Sequence, residues 1–574
     1  MILPLLSLVG LAIACDDHQL HARSSHVHEK RLYPQVPLNL PASPLVWGDF
    51  NVIHTTDTHG WLLGHQKLSG AEPYYSGDLG DFASFVTHMK QIADEKDVDL
   101  LLVDSGDLHD GTGLSEGYPA GGIDGHESDK FLLQLHYDLM TIGNHELENY
   151  TITYDMYKNF APQLNGRYLT SNANITLLLP NGTSLNTPIG NPSVTFTTPR
   201  GRKVTSLGVI YDMKGKNATN TTLHTPAQMV TQDWFGRAIA EEPDVFVLLG
   251  HMPVDKASWD PVYQAIRDKH TLTPIMILGG HTHIRDCQQY DPRSMALESG
   301  RYMETIGANI SASKGNSNSV GFSRRYLDQN RVTYEYHTNT SNTTFDTDYG
   351  RSITQGLQTL AANFSLGTFY GNAPQDYTFS QVPFGANGSL WSFFIQDVAP
   401  TTLKINNTRS QIPNLIITNY GPLRFDIFKG SFTKNDQLTT SPYVDGFSFV
   451  PNVTLGVANQ LVPAMNNHSG IPPCKAGGSG TLPYGHNTTD SCPGVGDDTL
   501  HRNLPDCFPP HYMNSTPPNV PDDTPIDLVF LTHTESVVLA NLKKIDPQGT
   551  YTPAPYSNIT TNEMFGIYAE TYWK

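Results

Sequence analysis

The chain has 574 residues and a formal net charge of −19, with 38% hydrophobic, 10% aromatic and 16% charged residues. That length exceeds one hydrophobic core and predicts several domain-sized units, and the composition is that of a soluble globular protein. The acidic balance, with no basic stripe, excludes nucleic acid as a partner, because a phosphate backbone needs clustered Lys and Arg. A small anion held through metal ions stays open, since metals bring their own charge.

Residues 1–14, MILPLLSLVGLAIA, form an apolar run ending in Ala12-Ile13-Ala14, which predicts a signal peptide. The run is short for a membrane span. Sixteen N-x-S/T sequons between Asn149 and Asn558 point the same way, towards an extracellular or vacuolar glycoprotein. Beyond Cys15, which borders the cleavage pattern, the chain carries Cys287, Cys474, Cys492 and Cys507, an even number that suits two disulfides of open pairing. No later segment predicts a transmembrane helix, and the C-terminal FGIYAETYWK carries no lipid-anchor signal. Residues 15–45 read as a solvated polar tail holding His18, His21, His26 and His28.

From about Trp47 to Asn309 short apolar runs alternate with helical patterns, which predicts an α/β layer structure over residues 46–340. In DFASFVTHMKQIADEK, the residues Phe82, Phe85, Val86, Met89, Ile92 and Ala93 share one helical face. The runs VDLLLVD, YDLMTIG, DVFVLLG and PIMILGG have the uninterrupted apolar character of strands covered on both faces. Residues 341–366 predict a linker helix, and 367–574 a second, α+β domain. Within it, a Pro-, Gly- and Cys-rich stretch near 465–525 reads as a stapled surface insertion.

Five of these apolar runs are followed by metal-ligand side chains. They are Asp57 and His59, Asp107, Asn144 and His145, His251, and His281 and His283. Open α/β sheets bind ligands at the carboxyl ends of their strands, where these residues fall. The pairs at i and i+2 would share one side of an extended chain. Four histidines, two aspartates and an asparagine suit two borderline divalent ions such as zinc, manganese or iron. Asp107 is the natural bridge between ions about 3.5–4 Å apart. Two such ions leave net positive charge for a hydroxide and a phosphoryl oxygen, which favours in-line attack on phosphorus. His145, next to ligand Asn144, is placed to donate to the phosphoryl or leaving oxygen, oriented by Glu148.

In this order the motifs D-x-H, G-D, G-N-H-E, G-H and G-H-x-H resemble the calcineurin-like metallophosphoesterases, and HTTDTHG with GDLHDGT resembles their 5′-nucleotidase branch. Purple acid phosphatases are disfavoured, because their G-D-x-x-Y tyrosine is here Asp110. The resemblance implies a four-layer α/β/β/α catalytic domain with two divalent metals. Asp57, His59, Asp107 and His283 would hold one, and Asp107, Asn144, His251 and His281 the other. It implies His145 as catalytic histidine, with Glu148 where the family has an aspartate. In the second domain ITNYGPLRFDI and LTTSPYVDGF align Asn419, Arg424 and Tyr443 with substrate-binding positions. Two family features are missing: an arginine in YTFSQVPFGANGSLWSFF, and a G-G-D-G stretch near the C-terminus. The expected activity is therefore hydrolysis of nucleoside monophosphates. Cleavage of a nucleotide pyrophosphate or diester, as in NAD, is the alternative, and an inactive glycoprotein that only binds is a third reading.

Overall fold

The computed structural model describes residues 36–213, 220–314, 319–485, 488–494 and 496–574, with side chains 309–314 left out. The N-terminal apolar run and the four tail histidines lie outside the described residues.

Two six-stranded sheets face each other. The first runs in the order Val320–Asp328, Thr305–Lys314, Phe50–Thr55, Asp99–Asp104, Leu139–Thr141, Tyr168–Leu169. The second runs Arg285–Asp291, Ser294–Ser299, Ile275–Gly279, Val245–His251, Lys203–Ile210, Ser193–Thr197. Their central strands are parallel. Alternation along each strand explains the layering, since successive side chains point to opposite faces. Val52, Leu101 and Val103 point inward against Val247, Leu249, Met276 and Leu278 of the other sheet. Ile53, Leu100 and Leu102 point outward to the helix Leu79–Glu95, which brings Phe82, Phe85 and Met89. Phe246, Leu248, Ile275 and Ile277 point the other way, to the helix Lys256–Lys269 and its Trp259, Val262 and Ile266. The result is an α/β/β/α sandwich. The first of these helices starts where its sequence dictates, at Asp78, which forms a capping box with Asp81.

A further helix, Asp348–Asn363, buries Ile353 and Leu357 in the same core as the helix Leu79–Glu95. The second domain carries a five-stranded mixed sheet, Tyr512–Asn514, Asn414–Asn419, Pro525–Leu531, Phe447–Thr454, Ala554–Ser557. Helices cover both its faces: Trp391, Phe394 and Phe565 on one, Leu461, Val538 and Leu542 on the other.

The Pro- and Gly-rich stretch is more than a surface insertion. One disulfide, Cys474–Cys507, closes it at its base, and the other, Cys287–Cys492, fastens it to the catalytic domain. Its residues 488–491 and 496–498 lie along the outer edges of the two large sheets. The N–H groups of Thr489 and Ser491 donate to the carbonyls of Arg285 and Cys287 on one edge, at 2.8 and 3.0 Å. On the other edge Asp498 N–H donates to Tyr326 O and Tyr326 N–H to Gly496 O. Covering an edge removes its unpaired N–H and C=O groups from competition with other chains. Arg324 anchors the same segment through Asp490 and the carbonyl of Cys492, at 2.8 and 2.9 Å. No helix among the described residues is long and apolar enough to cross a membrane.

Candidate active site

The metal-ligand residues converge because every one of them follows a strand of the two facing sheets. Asp57 and His59 follow Phe50–Thr55, Asp107 follows Asp99–Asp104, and Asn144 and His145 follow Leu139–Thr141. His251 ends Val245–His251, and His281 and His283 follow Ile275–Gly279. Extended backbone does not aim them. Asp57, His59, Asp107, His281 and His283 have φ of 52°, 44°, 59°, 80° and 62°. Residues with a Cβ rarely adopt this left-handed region, and strain of this kind collects at functional sites. The sequence expectation that His281 and His283 share one side of a strand is thereby corrected: each sits on a turn, and the two go to different ligand groups. Gly106, at φ +89°, and Gly143 let the two neighbouring loops touch. A Cβ on Gly106 would strike the Gly143 nitrogen, and one on Gly143 would strike Asp107.

Ligand atoms of Asp57, His59, Asp107 and His283 lie within 4.8 Å of one another, and so do those of Asp107, His251 and His281. Asp107 belongs to both groups. Its Oδ2 is 2.9 Å from His251 Nε2 and 3.7 Å from His59 Nε2. Asp57 Oδ1 is 3.0 Å from His283 Nε2. The outer nitrogens are already committed. His251 Nδ1 is 2.9 Å from the Ser105 carbonyl, and His59 Nδ1 is bonded to the His109 carbonyl. Each of these rings therefore donates outward and turns Nε2 to the centre, the arrangement that orients metal-binding histidines. Asn144 Oδ1 is buried without a hydrogen-bond partner. A donor set of aspartates, imidazoles and an orphaned amide oxygen fits two divalent cations.

The electrostatics of both aspartates and of three histidines agree with that fit, whereas at His251 burial is outweighed by Asp107 and Asp57, which push the ring up to about 10. Burial alone would raise Asp57 and Asp107, but the facing histidines hold both well below the usual carboxylate range. Burial, reinforced by His251, lowers His281 to about 4, and burial likewise lowers His59 and His283, so these rings are uncharged at neutral pH.

His145 stands at the rim, its N–H donating to Asp107 Oδ1 at 3.0 Å. Its Nδ1 is 2.5 Å from Asp110 Oδ2 and 4.0 Å from Glu148 Oε2. Glu148, expected to orient this ring, lies at the limit of ion-pair distance, and Asp110 is the nearer acid. Glu148 instead accepts from Asn144 Nδ2 at 3.4 Å, and Asp110, at φ +59°, turns back onto the imidazole. Burial lowers His145, but Asp107 and Asp110 outweigh it and push the ring up to about 8. Asp110→Asn should therefore cut kcat about 10–100-fold, the range for a lost orienting partner, with KM little changed. Glu148→Gln should leave kcat near the wild-type value. Steady-state kinetics on both variants checks this.

Two residues were missed as structural devices. Glu146 accepts the N–H groups of Asp107, Leu108 and Gly143 at 3.1, 2.7 and 2.7 Å, locking the two loops together. Tyr302 packs its ring against His59 and His283. Glu146 stands in the quoted G-N-H-E motif, whereas nothing local marks Tyr302.

The second domain reaches the centre through two of the three residues aligned with substrate positions. Arg424 Nη2 is 2.8 Å from His59 Nε2, and its Nη1 donates to Tyr443 Oη at 2.6 Å. The Tyr443 ring lies 6.4 Å from that of His145 at 22°. Asn419 is set apart, 3.3 Å from His533 Nε2.

Residues 50–285 match the calcineurin-like phosphoesterase family, and residues 376–479 and 474–539 match the NAD nucleotidase C-terminal domain. An uncharacterised protein of Schizosaccharomyces pombe is 32% identical over 92% of this chain and 92% of its own. A secreted protein of Arthroderma benhamiae is 35% identical over 79% of this chain and 73% of its own. The crystal structure of 5′-nucleotidase from Candida albicans is 32% identical with a TM-score of 0.82, covering 93% of this chain and 100% of that one. At 14% identity, the 5′-nucleotidase precursor of Thermus thermophilus shares the fold, with a TM-score of 0.57 over 91% and 96% of the two chains. With the ligand geometry these likenesses agree: the chain belongs to the calcineurin-like metallophosphoesterases of the 5′-nucleotidase family, metal-dependent phosphoester hydrolases.

Proposed function

We propose that the protein is a 5′-nucleotidase, hydrolysing nucleoside monophosphates to nucleoside and phosphate. The observation that carries this is the reach of Arg424 and Tyr443 from the second domain onto His59 and His145. A guanidinium suits a phosphate, and a tyrosine ring suits the face of a base. Asp57, His59, Asp107 and His283 would hold one divalent ion, and Asp107, Asn144, His251 and His281 the other, with zinc, manganese or iron fitting the donors. When bound, such ions supply Lewis-acid activation of water and neutralise charge on the phosphoryl group. The chain's own part is to place that group. Arg424 binds its oxygens, His145 donates a proton to the leaving oxygen, and Asp110 holds His145 in line for it. Asn419 is assigned to the nucleoside side of the same cleft. Passage through the secretory pathway belongs to this reading, supported by two disulfides and the secreted relative.

One observation favours cleavage of the NAD pyrophosphate instead: the match of the second domain to that of an NAD nucleotidase. Chromatography of products from AMP and from NAD separates the two readings. Metal stripping should abolish conversion of AMP to adenosine, return of zinc or manganese should restore it, and NAD should stay intact. AMP accumulating from NAD would shift the function to a pyrophosphatase.

A further inference from the structure

A third group of ligands lies beside the two at the centre, built entirely of oxygen. Carboxylate oxygens of Asp110, Glu116 and Asp124 lie within 4.8 Å of one another. Asp124, whose carboxylate joins this group, is 4% exposed, and its Oδ1 has no hydrogen-bond partner. Among the described residues no Lys or Arg pairs with Glu116 or Asp124. The nearby imidazole of His109 is bonded to Asp129 at 2.9 Å, and of these three acids that of His145 meets Asp110. Three acids at such spacing crowd more negative charge than the imidazoles of His145, on Asp110, and His109, near Asp124, offset. Two agents could supply the balance: protons shared among the carboxyls, or a cation. Without a cation, burial and the adjacent acids push Asp124 up to about 7 and Glu116 well above the carboxylate range.

We propose that Asp110, Glu116 and Asp124 bind a hard divalent cation of the calcium or magnesium class, distinct from the two ions of the catalytic centre. The donor chemistry selects that class. Hard cations take carboxylate and carbonyl oxygens, whereas zinc prefers the nitrogen and sulfur donors this group lacks. Asp110 would then serve two masters, one oxygen on the cation and the other on His145 Nδ1. The cation would thus fix the acid that orients His145.

The test needs no substrate, so it stands or falls separately from the proposed activity. Calcium alone, added to zinc-loaded full-length protein, should raise the melting temperature saturably, by about 2–5 °C at a hundredfold excess over Kd. The doubly substituted Glu116→Gln, Asp124→Asn protein should lose that rise. Terbium offers a second reading that leaves every ligand in place. Tyr118 senses the same carboxylates, which with burial push its hydroxyl up to about 12. Tyrosine-sensitised terbium emission should saturate, be displaced by calcium, and fall in Tyr118→Phe. Absence of any calcium-dependent shift, an equal shift in the double variant, or terbium emission unaffected by calcium would overturn the site in favour of shared protons.

Discussion

Asp107→Asn should leave a folded protein that releases phosphate at least about 10³-fold more slowly, more than is lost with one transition-state donor elsewhere. The reason is that this carboxylate does three things at once. It faces His251 and His59, it belongs to both ligand groups, and it accepts the His145 N–H. Asn keeps the shape and one oxygen but removes the charge, so both ligand groups of the proposed centre would lose an anionic donor. His281→Ala removes a donor from one group only and should also abolish turnover while retaining part of the bound metal. Metal content by elemental analysis, kinetics and circular dichroism distinguish the two. An active, folded Asp107→Asn protein would overturn the assignment of the bridge.

The second large effect is on stability. Replacing Cys287 and Cys492 by serine should lower the unfolding free energy by about 2–5 kcal/mol, because that disulfide closes a loop spanning 205 residues of sequence. Replacing Cys474 and Cys507, 33 residues apart, should cost about 1.6 kcal/mol less, since closure entropy grows only with the logarithm of loop length. The first pair also holds the strap over both sheet edges, so its loss should raise aggregation on partial unfolding. Denaturant titration and light scattering report the two effects. Equal stability of wild type and the Cys287/Cys492 variant would mean that Arg324, Arg285 and His337 alone hold the segment through Asp490, Asp497 and Asp498.

Much of the catalytic domain is legible in sequence because its signals are local. Runs such as VDLLLVD announce doubly covered strands, and the ligands stand immediately after them. What escapes are relations between distant segments and between backbone conformations. Asp110 follows Asp107 by three residues, yet only a left-handed φ at both brings it to His145, and Glu148 looks equally suited from spacing alone. Tyr302 enters the site from a loop with no motif. The pairing of four cysteines has three solutions, and none can be chosen without knowing that residues 488–491 and 496–498 lie along two sheet edges. The composition of that stretch signals loop, and its hydrogen bonds to Arg285, Cys287 and Tyr326 leave no trace in it.

That long-range disulfide also sets a clock on biosynthesis. Cys287 leaves the ribosome 205 residues ahead of its partner, an interval of about 10–40 s at about 5–20 residues per second. When Cys492 emerges, Cys474 is far closer along the chain than Cys287, and Cys507 has yet to appear. Proximity favours the wrong bond. Correct pairing therefore requires a catalytic domain already folded, with Cys287 set in its edge strand and Arg324 ready to grip Asp490 and the Cys492 carbonyl. Oxidation that outruns folding of the first domain should trap a Cys474–Cys492 isomer, so the order of synthesis, rather than thiol reactivity, selects the native crosslink.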